Sequence, residues 1–97
     1  MRHFYRSDLT PDQVLATADA FFPRIDERQT STAARTRTFA GPLGVLNLSV
    51  RMEGGHYTFV EIDTDQTGES RLDRNAKRFF VELRRTADPA QTLPVSY

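Results

Sequence analysis

The 97-residue chain has no cysteine and no tryptophan, one lysine (Lys77) and two histidines, His3 and His56. Without cysteine, neither a disulfide scaffold nor a thiolate metal site can form. No charge of one sign dominates: 13 Lys+Arg stand against 13 Asp+Glu. That balance argues against a polycation that coats nucleic acid or an anionic membrane. No apolar run approaches the roughly 20 residues of a membrane-spanning helix. Met1 is followed by Arg2, His3 and Phe4 instead of an apolar stretch. No secretory signal is therefore read, and the cytoplasm is the expected compartment. Gly-x-Ser-x-Gly, Gly-x-Gly-x-x-Gly and Walker patterns are all missing, so those nucleophile and phosphate-loop chemistries have no support. No cofactor is expected.

What is present suits one small globular domain. Apolar residues make up 38% of the chain and charged residues 27%, which places it outside the disordered regime. Arg2 to Ser7 reads as a strand with His3 and Tyr5 on one face. Thr10, Pro11 and Gln13 spell a helix start with a capping box, and Leu9 and Val14 are placed as its hydrophobic staple. Val14, Leu15, Ala18, Phe21 and Phe22 follow at helical spacing, and Pro23 ends the helix.

Gln29 to Ala40 is Thr- and Arg-rich and reads as a single strand before a Gly41-Pro42-Leu43-Gly44 turn. Val45 to Met52 alternates, with Leu46, Leu48, Val50 and Met52 on one face. Gly54-Gly55 reads as a two-residue hairpin turn. That register sets Met52 against Tyr57, Val50 against Phe59 and Leu48 against Glu61. A two-residue loop at Pro42-Leu43 would put Arg35 and Arg37 on the apolar face. Burying two unpaired guanidiniums is costly, so a three-residue loop or bulge is expected, with Ala34, Thr36 and Thr38 inward. Asp63 to Ser70 is a polar connection. Ser70 caps a second helix whose Leu72, Ala76, Phe79, Phe80, Leu83 and Ala87 form one apolar stripe. That helix stops before Pro89, leaving 1–87 as one domain and 88–97 as a tail expected to be flexible.

The fold expected is α+β, in the order β-α-β-β-β-α: a single antiparallel sheet with two helices on one face. This element order resembles a TATA-binding-protein-type half-fold, one strand short. It also resembles a shortened form of the helix-grip fold of START-type proteins. The resemblance implies helices packed across one sheet, and it carries no site residues.

Several residue sets suggest chemistry. The outer sheet face is expected to mix Arg35, Arg37 and Arg51 with Phe39, Val45, Val60 and Ile62. Apolar residues rimmed by arginine mark interfaces, and pairing with a second copy is the simplest use of an open sheet. Tyr5, Tyr57, Phe59, Phe79 and Phe80 are placed either to line a small-molecule cleft between the second helix and the sheet or simply to form the core. Arg71, Arg74, Arg78 and Arg85, with Lys77 and Arg84, make a basic stripe suited to an anion or a phosphate backbone. Against this, Asp73 with Lys77 and Arg78 with Glu82 are spaced for i,i+4 ion pairs on a solvated face. Nucleic acid is the weaker expectation.

Glu61, Asp63 and Asp65 are weak metal candidates. Asp63-x-Asp65-x-Thr67-Gly68 imitates an EF-hand loop, but Thr67 and Arg74 stand at its fifth and twelfth positions. A solvated strand end is the stronger reading, with Glu69 near the positive end of the second helix; no metal is expected. His56 falls at an exposed hairpin tip, which suits no shielded general base. A non-enzymatic module that self-associates through its sheet face or edge is the leading expectation. Small-molecule and anion binding are the alternatives.

Zero net charge also hides a pattern. Residues 28–52 carry four basic and no acidic side chains, 53–69 five acidic and no basic ones, and 70–85 six basic and two acidic. The chain alternates in sign along its length, which permits complementary self-pairing.

Overall fold

The computed structural model describes residues 1–88. The elements are β1 (Arg2–Ser7), α1 (Pro11–Phe21), a 3-10 turn (Phe22–Ile25), β2 (Arg28–Thr32), β3 (Thr36–Gly41), β4 (Gly44–Glu53), β5 (Tyr57–Thr64) and α2 (Arg71–Ala87). The strands form one antiparallel sheet in the order β1-β5-β4-β3-β2. The chain is therefore α+β with a single sheet and two helices. It has one strand more than the spacing predicts, because Gln29–Ala40 is two strands. Residues 33–35 turn the chain, and β2 folds back on β3 with a register shift between Gln29 and Ser31. A run without Gly or Pro gave no sign of that turn. The expected flexible tail, 88–97, lies outside the described residues beyond Asp88.

Local chemistry accounts for the helix starts. The Thr10 hydroxyl accepts from the Gln13 amide, while the Gln13 side chain accepts from the Thr10 amide at 2.9 Å. Ser70 caps α2 in the same way by accepting from the Asp73 amide. Past α1, the 3-10 turn closes on Asp26 at φ 63.

Both helices cover one face of the sheet. Val14, Leu15 and Ala18 of α1, with Leu72, Ala76, Phe79 and Leu83 of α2, bury against Phe39, Leu46, Leu48, Val50, Val60 and Ile62. Phe22 joins these layers, its ring 4.8 Å from Phe39 and 5.1 Å from Phe79.

Two registers differ from those the turns suggest. Glu53 pairs with Tyr57, so Gly54, Gly55 and His56 all belong to the loop. Met52 then faces Thr58, Val50 faces Val60, and Leu48 faces Ile62. Slipping a strand by one residue exchanges its faces, so Val60 and Ile62 enter the core while Tyr57 and Phe59 leave it. At the other turn, Gly41 pairs with Gly44 across a two-residue Pro42-Leu43 loop, not the three-residue loop expected. Phe39 consequently faces inward opposite Leu46, and Thr36 and Thr38 face outward. Arg37 does lie on the inner face, opposite Leu48, but it is not unpaired. Its guanidinium reaches Asp19 of α1 at 3.0 Å and donates to the Ala33 and Thr36 carbonyls at 2.7 and 2.9 Å. The cost of bringing an arginine to the rim of the core is offset by those partners.

Candidate functional site

No described helix covers the outer face of the sheet, and its side chains stand in rows across the strands. One row is Arg6, Phe59 and Arg51, from β1, β5 and β4. The Arg51 guanidinium lies 4.4 Å from the Phe59 ring centre and that of Arg6 lies 5.6 Å from it. Phe4 leans in from the next row, 5.4 Å ring to ring. Phe59 is consequently only 8% exposed although no helix lies over it. Its roof is two cations and a second ring, the arrangement favoured by the ring's negative face. Phe4 itself remains 53% exposed, and Tyr57, at the end of the same strand as Phe59, 46%.

Farther along the face the character becomes acidic. Arg2 donates to Asp63 at 2.9 Å and lies 3.6 Å from Glu61. A hydrogen bond with Asp63 pushes the Glu61 carboxyl up from its ordinary value, with burial and the Asp63 charge adding to the rise and Arg2 and Arg51 opposing it. Burial would raise Asp63 as well, but hydrogen bonds from Arg2 and Glu61 outweigh it, and Asp63 lies below the ordinary carboxylate range. Thr38 donates to Asn47 at 2.8 Å in the neighbouring strands. Arg6 is held by Glu53, whereas Arg51 has no carboxylate within ion-pair distance among the described residues.

The candidate interface set is thus divided. Phe39, Val60 and Ile62 are core residues, placed inward by the two registers. Val45, 37% exposed, and Arg51 do belong to the outer face. Arg35 lies in the β2–β3 turn near Asp12, at 3.5 Å, and Arg37 lies on the inner face with Asp19. Phe4 and Arg6 belong to the outer cluster but were not in the candidate set. Their alternation with His3 and Tyr5 was the available signal.

The candidate cleft is divided too. Tyr57 and Phe59 lie on the outer face, while Tyr5 stacks on Phe80 at 5.2 Å on the inner face and Phe79 is core. The sheet separates the two groups. Of the basic stripe, Arg71 and Arg78 border one cleft beside the 3-10 turn, Arg85 borders the next, and Arg74 borders neither. The expected i,i+4 ion pairs do not form. Lys77 reaches Glu69 at 3.2 Å, Glu82 lies 3.9 Å from Arg24 and from Arg85, and Asp73 is buried. Glu61 and Asp63 share Arg2, whereas Asp65 accepts from the Val45 amide at 3.0 Å. No three metal-ligating side chains converge among the described residues.

Asp73 belongs to a buried polar knot that sequence spacing did not reveal. His3 Nε2 lies 2.8 Å from Asp73 Oδ1, Thr64 donates to the same oxygen at 2.7 Å, and Ser70 donates to Oδ2 at 2.7 Å. Burial pushes Asp73 up, but hydrogen bonds from His3, Thr64 and Ser70 overcome it and hold the carboxyl at about 2. An ionised carboxylate only accepts, so His3 Nε2 must be the donor. Every oxygen of the knot has its partner, which suits a structural clasp between β1, β5 and α2.

No described helix is long and apolar enough to cross a membrane. Compared with known proteins, the chain matches no family model and no curated protein.

Proposed function

We propose that this domain acts by association, and that its first partner is a second copy of itself, docked on the sheet face that no described helix covers. The observation that carries the reading is the Arg6–Phe59–Arg51 row with Phe4 half exposed beside it. Aromatic and arginine side chains are the residue types that dominate association energetics when water is excluded. Charge supports a second copy over a polyanion. Across β1, β5 and β4, Arg2, Arg6 and Arg51 are matched by Glu53, Glu61 and Asp63, so that part of the face is neutral, and Arg28 of β2, opposite Ala40, adds one positive charge at the far edge. Its charges are unevenly spread, with unpaired Arg51 toward one end and the Glu61–Asp63 pair toward the other. A two-fold axis through the face sets the basic end of one copy over the acidic end of its partner, as a self-complementary contact requires.

The β2 edge of the sheet is the poorer route. β2, an edge strand, is short, polar throughout and broken by a register shift, the features that discourage strand addition. Sedimentation velocity tests the reading. The wild type is expected to shift from monomer to dimer as concentration rises through the micromolar range. Phe4→Arg is expected to stay monomeric with an unchanged circular dichroism spectrum. A wild type that remains monomeric at several hundred micromolar, or a Phe4→Arg dimer as tight as the wild type, contradicts it.

A further inference from the structure

A second surface, on the helical side of the molecule, has a different character. A cleft of about 400 Å³ opens between α2 and the 3-10 turn. Arg71, Asn75 and Arg78 form one wall, and their i, i+4, i+7 spacing puts them on a single face of α2. Arg24 of the 3-10 turn forms the opposite wall. Ile25 and Leu43, both partly buried against the core, supply apolar lining. Asp26 is the one acid among the lining residues, so the cleft carries three guanidiniums against one carboxylate.

The neighbouring cleft shows what neutralisation looks like here. It has a volume of about 300 Å³ and shares Arg24 and Arg78 with the first, adding Arg85 and Glu82. There Glu82 stands 3.9 Å from both Arg24 and Arg85. Neither Arg71 nor Arg78 has such a carboxylate within 4.0 Å among the described residues. Arg71 and Arg78 are therefore the unanswered cations of the first cleft, whose Arg24 already stands beside Glu82.

We propose that this cleft binds a small phosphate monoester carried on a flat apolar body. Guanidinium forks match phosphate oxygens in geometry. The two guanidiniums without a carboxylate partner, Arg71 and Arg78, match a monoester dianion better than a single carboxylate. Ile25 and Leu43 give the apolar body a surface that a bare ion would leave unused. The volume lies within the range of small-molecule sites and is too small for a structured macromolecule. This reading is independent of self-association, since the cleft and the outer sheet face lie on opposite sides of the sheet.

Phenyl phosphate, inorganic phosphate and a single-stranded oligonucleotide serve as probes, titrated against the full chain at low salt and followed by amide chemical shifts. Phenyl phosphate is expected to shift the Arg24, Leu43 and Asn75 amides and to bind more tightly than inorganic phosphate. Arg71→Gln/Arg78→Gln is expected to weaken it by about tenfold or more. Arg74→Gln/Arg84→Gln, which removes equal charge from α2 outside this cleft, is expected to leave it unchanged. Equal loss in both double variants would reduce the effect to diffuse attraction and overturn the proposal. So would binding of the oligonucleotide without phenyl phosphate, or no saturable shift with phenyl phosphate at 10 mM, about the weakest site worth the name.

Discussion

His3 and Asp73 are 70 residues apart in sequence and 2.8 Å apart in the structure. Their contact ties β1, an edge strand, to the first turn of α2. Thr64 and Ser70 complete the hydrogen bonding of the carboxylate, so the clasp adds order to the sheet without leaving a buried charge unsatisfied.

The clasp predicts how acid acts on the fold. Asp73 is held at about 2, against an ordinary value of 3.8. A depressed carboxyl contributes stability that is present above the unfolded value and is lost as pH falls from near 3.8 through about 2. The shift corresponds to about 2 kcal/mol. Denaturant unfolding of the wild type and Asp73→Asn between pH 6 and pH 2 checks this. The wild-type advantage is expected to shrink across the acid end of that range. A difference independent of pH would show that the charge of Asp73 is not what the clasp uses.

Glu27 predicts the opposite dependence. Its residue is fully buried, and neither carboxylate oxygen has a hydrogen-bond partner of good geometry among the described residues. Burial pushes its carboxyl up, the Leu43 amide nearby restrains the rise, and the Asp65 charge adds to it. A raised carboxyl is harmless below its unfolded value of 4.5 and destabilises as pH climbs through the folded value. Glu27→Gln is expected to be more stable than the wild type at pH 8, by about 1 kcal/mol. That gain is expected to fade below pH 4.5. Thermal melts at the two pH values check it, and a variant less stable at pH 8 would mean that the charge is compensated.

Arg37 and Asp19 should prove coupled. Arg37 is only 16% exposed at its side chain and Asp19 is 39% exposed, so the pair is better shielded than a surface bridge. A double-mutant cycle with Arg37→Ala and Asp19→Ala is expected to give about 1 kcal/mol of interaction. Arg37→Ala should cost more than Asp19→Ala, because it also abandons the Ala33 and Thr36 carbonyls. Independent effects of the two substitutions would mean that the backbone carbonyls alone hold the guanidinium.

The same arginine shows where sequence reading succeeds and where it stops. Helix starts are written in neighbouring residues, and the Thr10–Gln13 box and the Ser70 cap were legible for that reason. The alternation of Leu46, Leu48 and Val50 was legible as well, because a strand's two faces are visible in its own spacing. Register across a turn was not. Whether His56 belongs to the Gly54-Gly55 loop is a choice of one residue, and it decides whether Phe59 or Val60 faces the core. Asp19 as partner for Arg37, and Asp73 as partner for His3, depend on how separate elements pack, which no local pattern encodes. Glu27 lies between the 3-10 turn and the β3–β4 hairpin and had no sequence signal. Of the candidate site, Arg51 and Val45 were legible on the outer face. Phe4 and Arg6 were legible in their alternation with His3 and Tyr5, whereas the relocation of Phe59 followed only from the register.

An isotope-filtered nuclear Overhauser experiment on mixed labelled and unlabelled chains reads directly which surface meets the second copy. Cross-copy contacts are expected from the ring protons of Phe4, Tyr57 and Phe59, together with the Arg51 side chain. Cross-copy contacts confined to β2, or to α1 and α2, would show that the uncovered sheet face is not where the copies meet and would contradict self-association through that face.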